Sequence, residues 1–337
     1  VVTVGADQTI RGAGQILANQ GGLVNDGTIR QQGSTVLTID PGSADAGGGA
    51  NFVNNGTLRA EGVGGIALNG GIYQNNTTIE ALSGSEIRLS GGVTVRGGDL
   101  ATTGTGAIRS TVNGTSVVLD AVTITGGSNF VQINSTDVSI TNGIVNNGNW
   151  ELNSVGSSTD ISFSGSQTLS GSGEIVMSDN GGNRIVTGGA TVSTDVITVG
   201  AGQTIRGAGQ ILASQGGLVN DGAIRQQGGT ALTINPGSAD AGGGAGFINN
   251  GTLRAEGVGG ITLNGGIYQN NATIEALDGS EIRLINGTTI RGGNLSTTGS
   301  GASRGEIRST INGPGIVLDG VAISGGSNVV QINATDL

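Results

Sequence analysis

Asn54-Asn55-Gly56-Thr57-Leu58-Arg59 is followed by Ile66, eight residues after Leu58, and then by Leu68. The phrase returns 21 residues later as Asn75-Asn76-Thr77-Thr78-Ile79-Glu80, with Ile87 eight residues after Ile79 and then Leu89. Leu100 and Ile108 keep the same spacing. Upstream, Asn25-Asp26-Gly27-Thr28-Ile29-Arg30 leads to Leu37 and Ile39, and downstream Asn146-Asn147-Gly148-Asn149-Trp150-Glu151 opens another unit. Apolar residues alternate within short runs such as Ile66-Ala67-Leu68, the period-two signal of strands with one buried face. Gly-Gly, Asn-Gly and Ser-Gly pairs separate the runs and mark sharp turns. Short strands, frequent turns and a period of about 22 residues describe the coil of a parallel β-helix, in which stacking buries what one coil cannot. The reading is all-β, a β-solenoid of about 15 coils.

Composition supports a thin aliphatic core. The chain has 337 residues, of which 69 are glycine and only 2% aromatic, too few large side chains for an ordinary globular interior. Three prolines and no three-residue period exclude collagen. A hydrophobic fraction of 35%, regularly placed, argues against disorder. All 14 basic residues are arginine and the net charge is −10, so no basic cluster exists to neutralise a nucleic-acid backbone. Without cysteine, disulfides and thiolate metal sites are excluded. No apolar run approaches the ~18 residues of a membrane helix, so no membrane insertion is expected of this segment.

A longer repeat overlies the short one. Val1–Thr103 matches Val196–Thr298 at an offset of 195, with 85 of 103 positions identical. Four extra residues then enter near Ser303–Glu306, and the match resumes from Ile108/Ile307 to Val138/Leu337. This divides the chain into a first long repeat, 1–195, and a second, incomplete copy, 196–337, within one continuous solenoid. The expected parent is a longer tandem array. Nine short units fit in 195 residues, and nine coils would rise about 43 Å.

In such a stack the asparagines Asn25, Asn54, Asn75 and Asn146 are expected to fall in a line, their amides bonded to one another and to the backbone. Arg30, Arg59 and Glu80 would form an outward column, and Trp150 would plug the core. The segment from Asp40 to Asn51 interrupts the rhythm and recurs from Asn235 to Gly246. Its residues Asp40, Pro41, Asp45 and Asn51, with Asn235, Pro236 and Asp240 in the second copy, are the candidate partner-contact loop.

Gly22-Leu23-Val24-Asn25-Asp26-Gly27-Thr28-Ile29-Arg30, Phe52-Val53-Asn54-Asn55-Gly56-Thr57-Leu58 and Val118-Leu119-Asp120-Ala121-Val122-Thr123-Ile124-Thr125-Gly126-Gly127 resemble bacterial β-helix surface proteins. These are the autotransporter passenger domains, the filamentous-haemagglutinin-like adhesins and giant tandem-repeat extracellular proteins. The resemblance implies a right-handed parallel β-helix, export, and a role in adhesion, matrix or surface layers. It supplies no set of functional residues.

Other chemistries read poorly. Polysaccharide cleavage on this fold needs clustered carboxylates or a basic proton acceptor; Asp120 and Asp319 recur in Val-Leu-Asp, but no second aspartate lies near and the chain has neither His nor Lys. Calcium would need six to eight oxygens, and Asp40 becomes Asn235 in the second copy. The Asn-x-Thr triplets at Asn55, Asn76, Asn250 and Asn271 match a glycosylation pattern but also suit the turn chemistry. Ice binding wants regular Thr-x-Thr arrays; single threonines such as Thr28, Thr57 and Thr78 recur instead. The expectation is a secreted, cell-surface or extracellular structural segment with no cofactor and no catalytic or metal site. Its expected partners are copies of itself, end to end or laterally, with surface glycans or other cells as alternatives. The edges of the first and last coils need a cap, supplied by a neighbouring repeat or by another molecule.

Overall fold

The computed structural model describes residues 1–111, 117–188, 194–309, 315–324 and 326–331. These hold forty-one short β-strands and one 3₁₀ turn at Gly301–Ser303. Strand pairing is parallel, from each coil to the next, giving a β-solenoid of about fourteen turns. That is one turn fewer than a uniform coil predicts. Pairing Leu23 with Phe52 spans 29 residues (52 minus 23), whereas Phe52 to Tyr73 spans 21, because the Asp40–Asn51 insertion lengthens one coil. For the same reason eight strands of the fourteen-stranded sheet, not nine, fall within the first 195 residues.

The chain forms two compact units, Val1–Asn153 with Gly171–Gly173, and Ser154–Ser170 with Glu174–Leu337. In the first unit each coil has three strands. In one coil these are Phe52–Asn54 (β1), Thr57–Ala60 (β2) and Ile66–Asn69 (β3). The next coil stacks Ile72–Asn75 (β4) on β1, Thr78–Ala81 (β5) on β2 and Glu86–Ser90 (β6) on β3. Period-two alternation sends one side chain in and the next out, so each face contributes a column. The columns run Leu23–Phe52–Tyr73–Val95–Leu119, then Ile29–Leu58–Ile79–Leu100–Ile124, then Leu37–Ile66–Ile87–Ile108–Phe130–Trp150. All of these side chains are buried, and each contributes about 1.5–3 kcal/mol by leaving water.

The second unit repeats the plan. Its columns include Ile197–Leu218–Phe247–Tyr268–Ile290 and Ile175–Ile205–Ile224–Leu253–Ile274–Leu295. A core only one side chain deep on each face explains why so few aromatics suffice. Where aromatics occur they stack between coils: Phe52 on Tyr73, Phe247 on Tyr268 and Phe130 on Trp150, with centroids 5.3, 5.4 and 5.0 Å apart. Corners between faces need left-handed backbone, and the pair Gly97–Gly98, at φ 70° and 65°, supplies it without a β-carbon penalty.

Candidate interaction surface

The inward asparagines begin at the turn between the first and second faces. Asn25 Nδ2 donates to Asn54 Oδ1 at 2.8 Å, and Asn54 Nδ2 donates to Asn75 Oδ1 at 2.9 Å. The outer hydrogens of these amides reach backbone oxygens of the next coil, Thr57 O from Asn25 and Thr78 O from Asn54. Asn75 Nδ2 ends the series on Thr77 O and Asp99 O. At the opposite end, the buried Asn25 Oδ1 accepts nothing. The second copy is built alike, with Asn220 to Asn249 and Asn249 to Asn270 both at 2.9 Å, and Asn220 Oδ1 likewise unpartnered.

Asn146 stands elsewhere. Its Cα pairs with Ile124, in the column of Leu58, Ile79 and Leu100, and its Oδ1 accepts the N–H of Gly148. The register shifts between Asp120 and Val122, where Ala121 takes φ 54°. Such a bulge adds a residue to one strand and moves everything after it. The same shift puts Trp150 on the third face with Ile66, Ile87 and Ile108, not on the second face with Leu58. The phrase Asn-Asn-Gly at 146–148 looks like the one at 54–56 but occupies a different corner.

A second ladder, outside the wall, comes from the other asparagine of each pair. Asn55 donates to Asp26 Oδ1 at 2.8 Å and Asn76 to Asn55 Oδ1 at 2.7 Å, with Asn250 to Asp221 and Asn271 to Asn250 matching them. The doubled Asn was its signal: neighbours in an extended chain face opposite ways, so one asparagine lies inside and one outside. Asn55, Asn76, Asn250 and Asn271 in the glycosylation-like triplets therefore serve this ladder.

The repeated loop is a folded element. Asp45 Oδ1 accepts the N–H groups of Gly47 and Gly49 at 2.7 and 3.1 Å, closing a small hairpin between Gly47 and Ala50. Asp240 does the same for Gly242 and Gly244 at 2.7 and 2.9 Å. Pro41 and Pro236 are buried beneath it, while the glycine tips are exposed. Asn51 fastens the return of the first loop by accepting the Ile72 N–H at 2.9 Å. Asp40 is half-buried, its backbone paired with Ile16 O and Asn19 N, and Asn235 repeats this with Ile211 O and Ser214 N. Underneath, the Tyr73 hydroxyl donates to Ile39 O at 2.8 Å and accepts the Asn69 N–H; Tyr268 does so with Ile234 O and Asn264. Burial pushes both phenols well above their ordinary pKa, against the opposing pull of those N–H groups.

Outward charge is neutralised locally. Arg11, Arg30, Arg59 and Glu80 form one column, where Arg59 Nε meets Glu80 at 2.7 Å and Glu61 lies 3.9 Å from both Arg30 and Arg59. Glu86 sits between Arg88 and Arg109, and Glu281 between Arg283 and Arg308. Asp120 is held by Arg96 at 3.1 Å and by Asn142 at 2.6 Å; its counterpart Asp319 lies 4.0 Å from Arg291. A shallow concavity of roughly 510 Å³ runs over Asn55–Arg59, Thr77, Thr78 and Glu80, open to solvent. Among the described residues no three acidic side chains converge on one point, and no helix is long and apolar enough to cross a membrane.

Comparison with family models, with curated proteins and with solved structures returned no match.

Proposed function

We propose that this chain is a structural segment of an extracellular β-solenoid fibre or surface filament of a bacterial cell, working by stacking and self-association. One observation carries the reading: both long copies repeat the same outward chemistry, and that chemistry is already satisfied coil to coil. Arginines meet carboxylates of their own or the next coil, outer asparagines meet asparagines, and the Asp45 and Asp240 carboxylates are spent on holding their own loops. A surface built this way offers repeated, near-neutral contacts and no singular cleft. The identical folding of the two loops gives each copy the same protruding contact, which suits lateral association of like with like.

The resemblance to autotransporter passengers and filamentous-haemagglutinin-like adhesins supports export and surface display. The test is electron microscopy of native extracellular material, with antibody against the Asp40–Asn51 loop. Filaments decorated by the antibody, with an axial repeat of about 4.8 Å, are the expected result. Single cell-anchored stalks would assign the chain to an adhesin instead, with its binding chemistry elsewhere. Label confined to the cytoplasm would overturn both.

A further inference from the structure

Residues 1–17 and 196–212 are nearly the same sequence, differing only at Val2/Ile197 and Asp7/Gly202. They also share backbone conformation. Leu17, Ala18 and Asn19 take φ 74°, 47° and 62°; Leu212, Ala213 and Ser214 take 73°, 48° and 69°. Three consecutive left-handed residues without glycine are an unusual corner, so their recurrence marks one coil built twice.

The two coils differ in what covers them. In the second unit, Val196–Val199 stacks on Gln167–Ser170, Thr204–Gly207 on Glu174–Met177, and Gly209–Ile211 on Asn183–Thr187. Among the described residues Val2–Val4 pairs on one side only, with Leu23–Asn25. Val2 is 55% exposed where Ile197 is 1% exposed. A β-carbon on Gly207 or Gly209 would overlap the carbonyls of Met177 and Asn183; on Gly12 and Gly14 it would meet nothing.

The polar groups match the same occupant. Arg206 makes a two-pronged pair with Glu174, Nε to Oε2 at 2.8 Å and Nη2 to Oε1 at 3.1 Å. Arg11, its equivalent, is exposed and has no carboxylate among the described residues. Gln203 donates to Ser170 O at 3.0 Å, whereas Gln8 is exposed and folds back to Gly5 N. Asp179 accepts the N–H groups of Gly229 and Thr230 at 2.9 and 2.7 Å, and the equivalent Ser34 and Thr35 are exposed.

We infer that the edge formed by Val2–Val4, Thr9–Gly12 and Gly14–Ile16 is a preformed socket for the Gln167–Thr187 coil of another copy of the long repeat. In-register docking puts Leu169 over Val4, Ile175 over Ile10 and Ile185 over Ile16, with Glu174 on Arg11 and Asp179 on Ser34 and Thr35. Because the socket already holds the docked backbone conformation, little ordering opposes binding. The inference deepens the proposed self-association by naming the segment that makes it, and it is tested on dilute, monomeric chain, where filament formation plays no part.

A fluorescent peptide spanning Ser166–Gly188 is titrated against the 337-residue chain, with hydrogen exchange read at Val2–Val4 and Thr9–Gly12. Saturable binding with added protection at those amides is expected. Arg11→Glu in the chain should weaken binding by about tenfold to a hundredfold, the scale of a lost charge-assisted pair. Glu174→Arg in the peptide should restore it on that variant. No protection at peptide concentrations up to about 100 μM, or affinity indifferent to the charge swap, would overturn the socket. Neither failure would touch the fibre reading, which stands or falls on microscopy.

Discussion

Replacing Asn54 by alanine should cost more than replacing Asn25, although both are fully buried members of one ladder. Asn54 accepts from Asn25 and donates to Asn75 Oδ1, Thr77 Oγ1 and Thr78 O. Asn54→Ala removes these bonds and strands the buried Asn75 Oδ1, which has no other donor in the ladder. A stranded buried acceptor costs about 1–3 kcal/mol and each lost hydrogen bond about 1 kcal/mol net, giving roughly 2–4 kcal/mol after partial relaxation. Asn25→Ala strands Asn54 Oδ1 but also deletes an oxygen that is already unpartnered. Those two effects offset, leaving about 1 kcal/mol for the lost donor bonds. Trp150, the single tryptophan, lies in the same unit as the ladder and reports its unfolding by fluorescence. Urea midpoints at unchanged slope give the two values. The second copy is an internal replicate, with Asn249→Ala predicted to exceed Asn220→Ala when followed by circular dichroism. Equal costs, or Asn25→Ala the more harmful, would show that the ladder is not where this energy resides.

Other outcomes follow from the same geometry. Tyr73 and Tyr268 have folded pKa values raised above the ordinary 10.0, so the folded state holds their protons more tightly than the unfolded chain does. Their contribution is complete below pH about 10 and is lost as pH rises beyond it. Absorbance at 295 nm should therefore rise together with loss of β-sheet signal; ordinary titration near pH 10 with the fold intact would contradict this. Glu174, lowered by its hydrogen bond from Arg206, works in the opposite sense. Its contribution is present above pH about 4.5 and fades as pH falls below that value; because the pair is a third exposed, Glu174→Gln should cost under about 1 kcal/mol in urea unfolding at pH 7. Asp45→Ala should leave global stability within about 0.5 kcal/mol yet open the Gly47–Gly49 tip to limited proteolysis. Ile87→Ala, between Ile66 and Ile108 in the third-face column, should cost about 2–5 kcal/mol by leaving a cavity one coil high, measured by the Trp150 transition.

Period and alternation by themselves determined that this chain stacks short parallel strands, because a residue's side of the wall depends only on odd or even position within a strand. Inward Leu58, Ile79 and Ile87 and outward Arg59, Glu80 and Arg88 were legible for that reason, as was the loop that breaks the rhythm at Asp40. Tertiary structure decided the phase. Nothing in Asn146-Asn147-Gly148 says that a bulge at Ala121 has moved it to another corner, since a one-residue shift in one strand is stored in backbone angles and not in the later sequence. Partnership was also decided only in three dimensions. Whether Asp45 holds a cation or its own loop, and whether Glu61 pairs with Arg30, Arg59 or both, depends on distances between coils some thirty residues apart in sequence. The duplicated coil makes the division plain: Val1–Leu17 and Val196–Leu212 are almost one sequence, yet one is covered and the other open. Burial belongs to the neighbour that stacks on a coil, and a coil's own residues do not encode whether that neighbour is there.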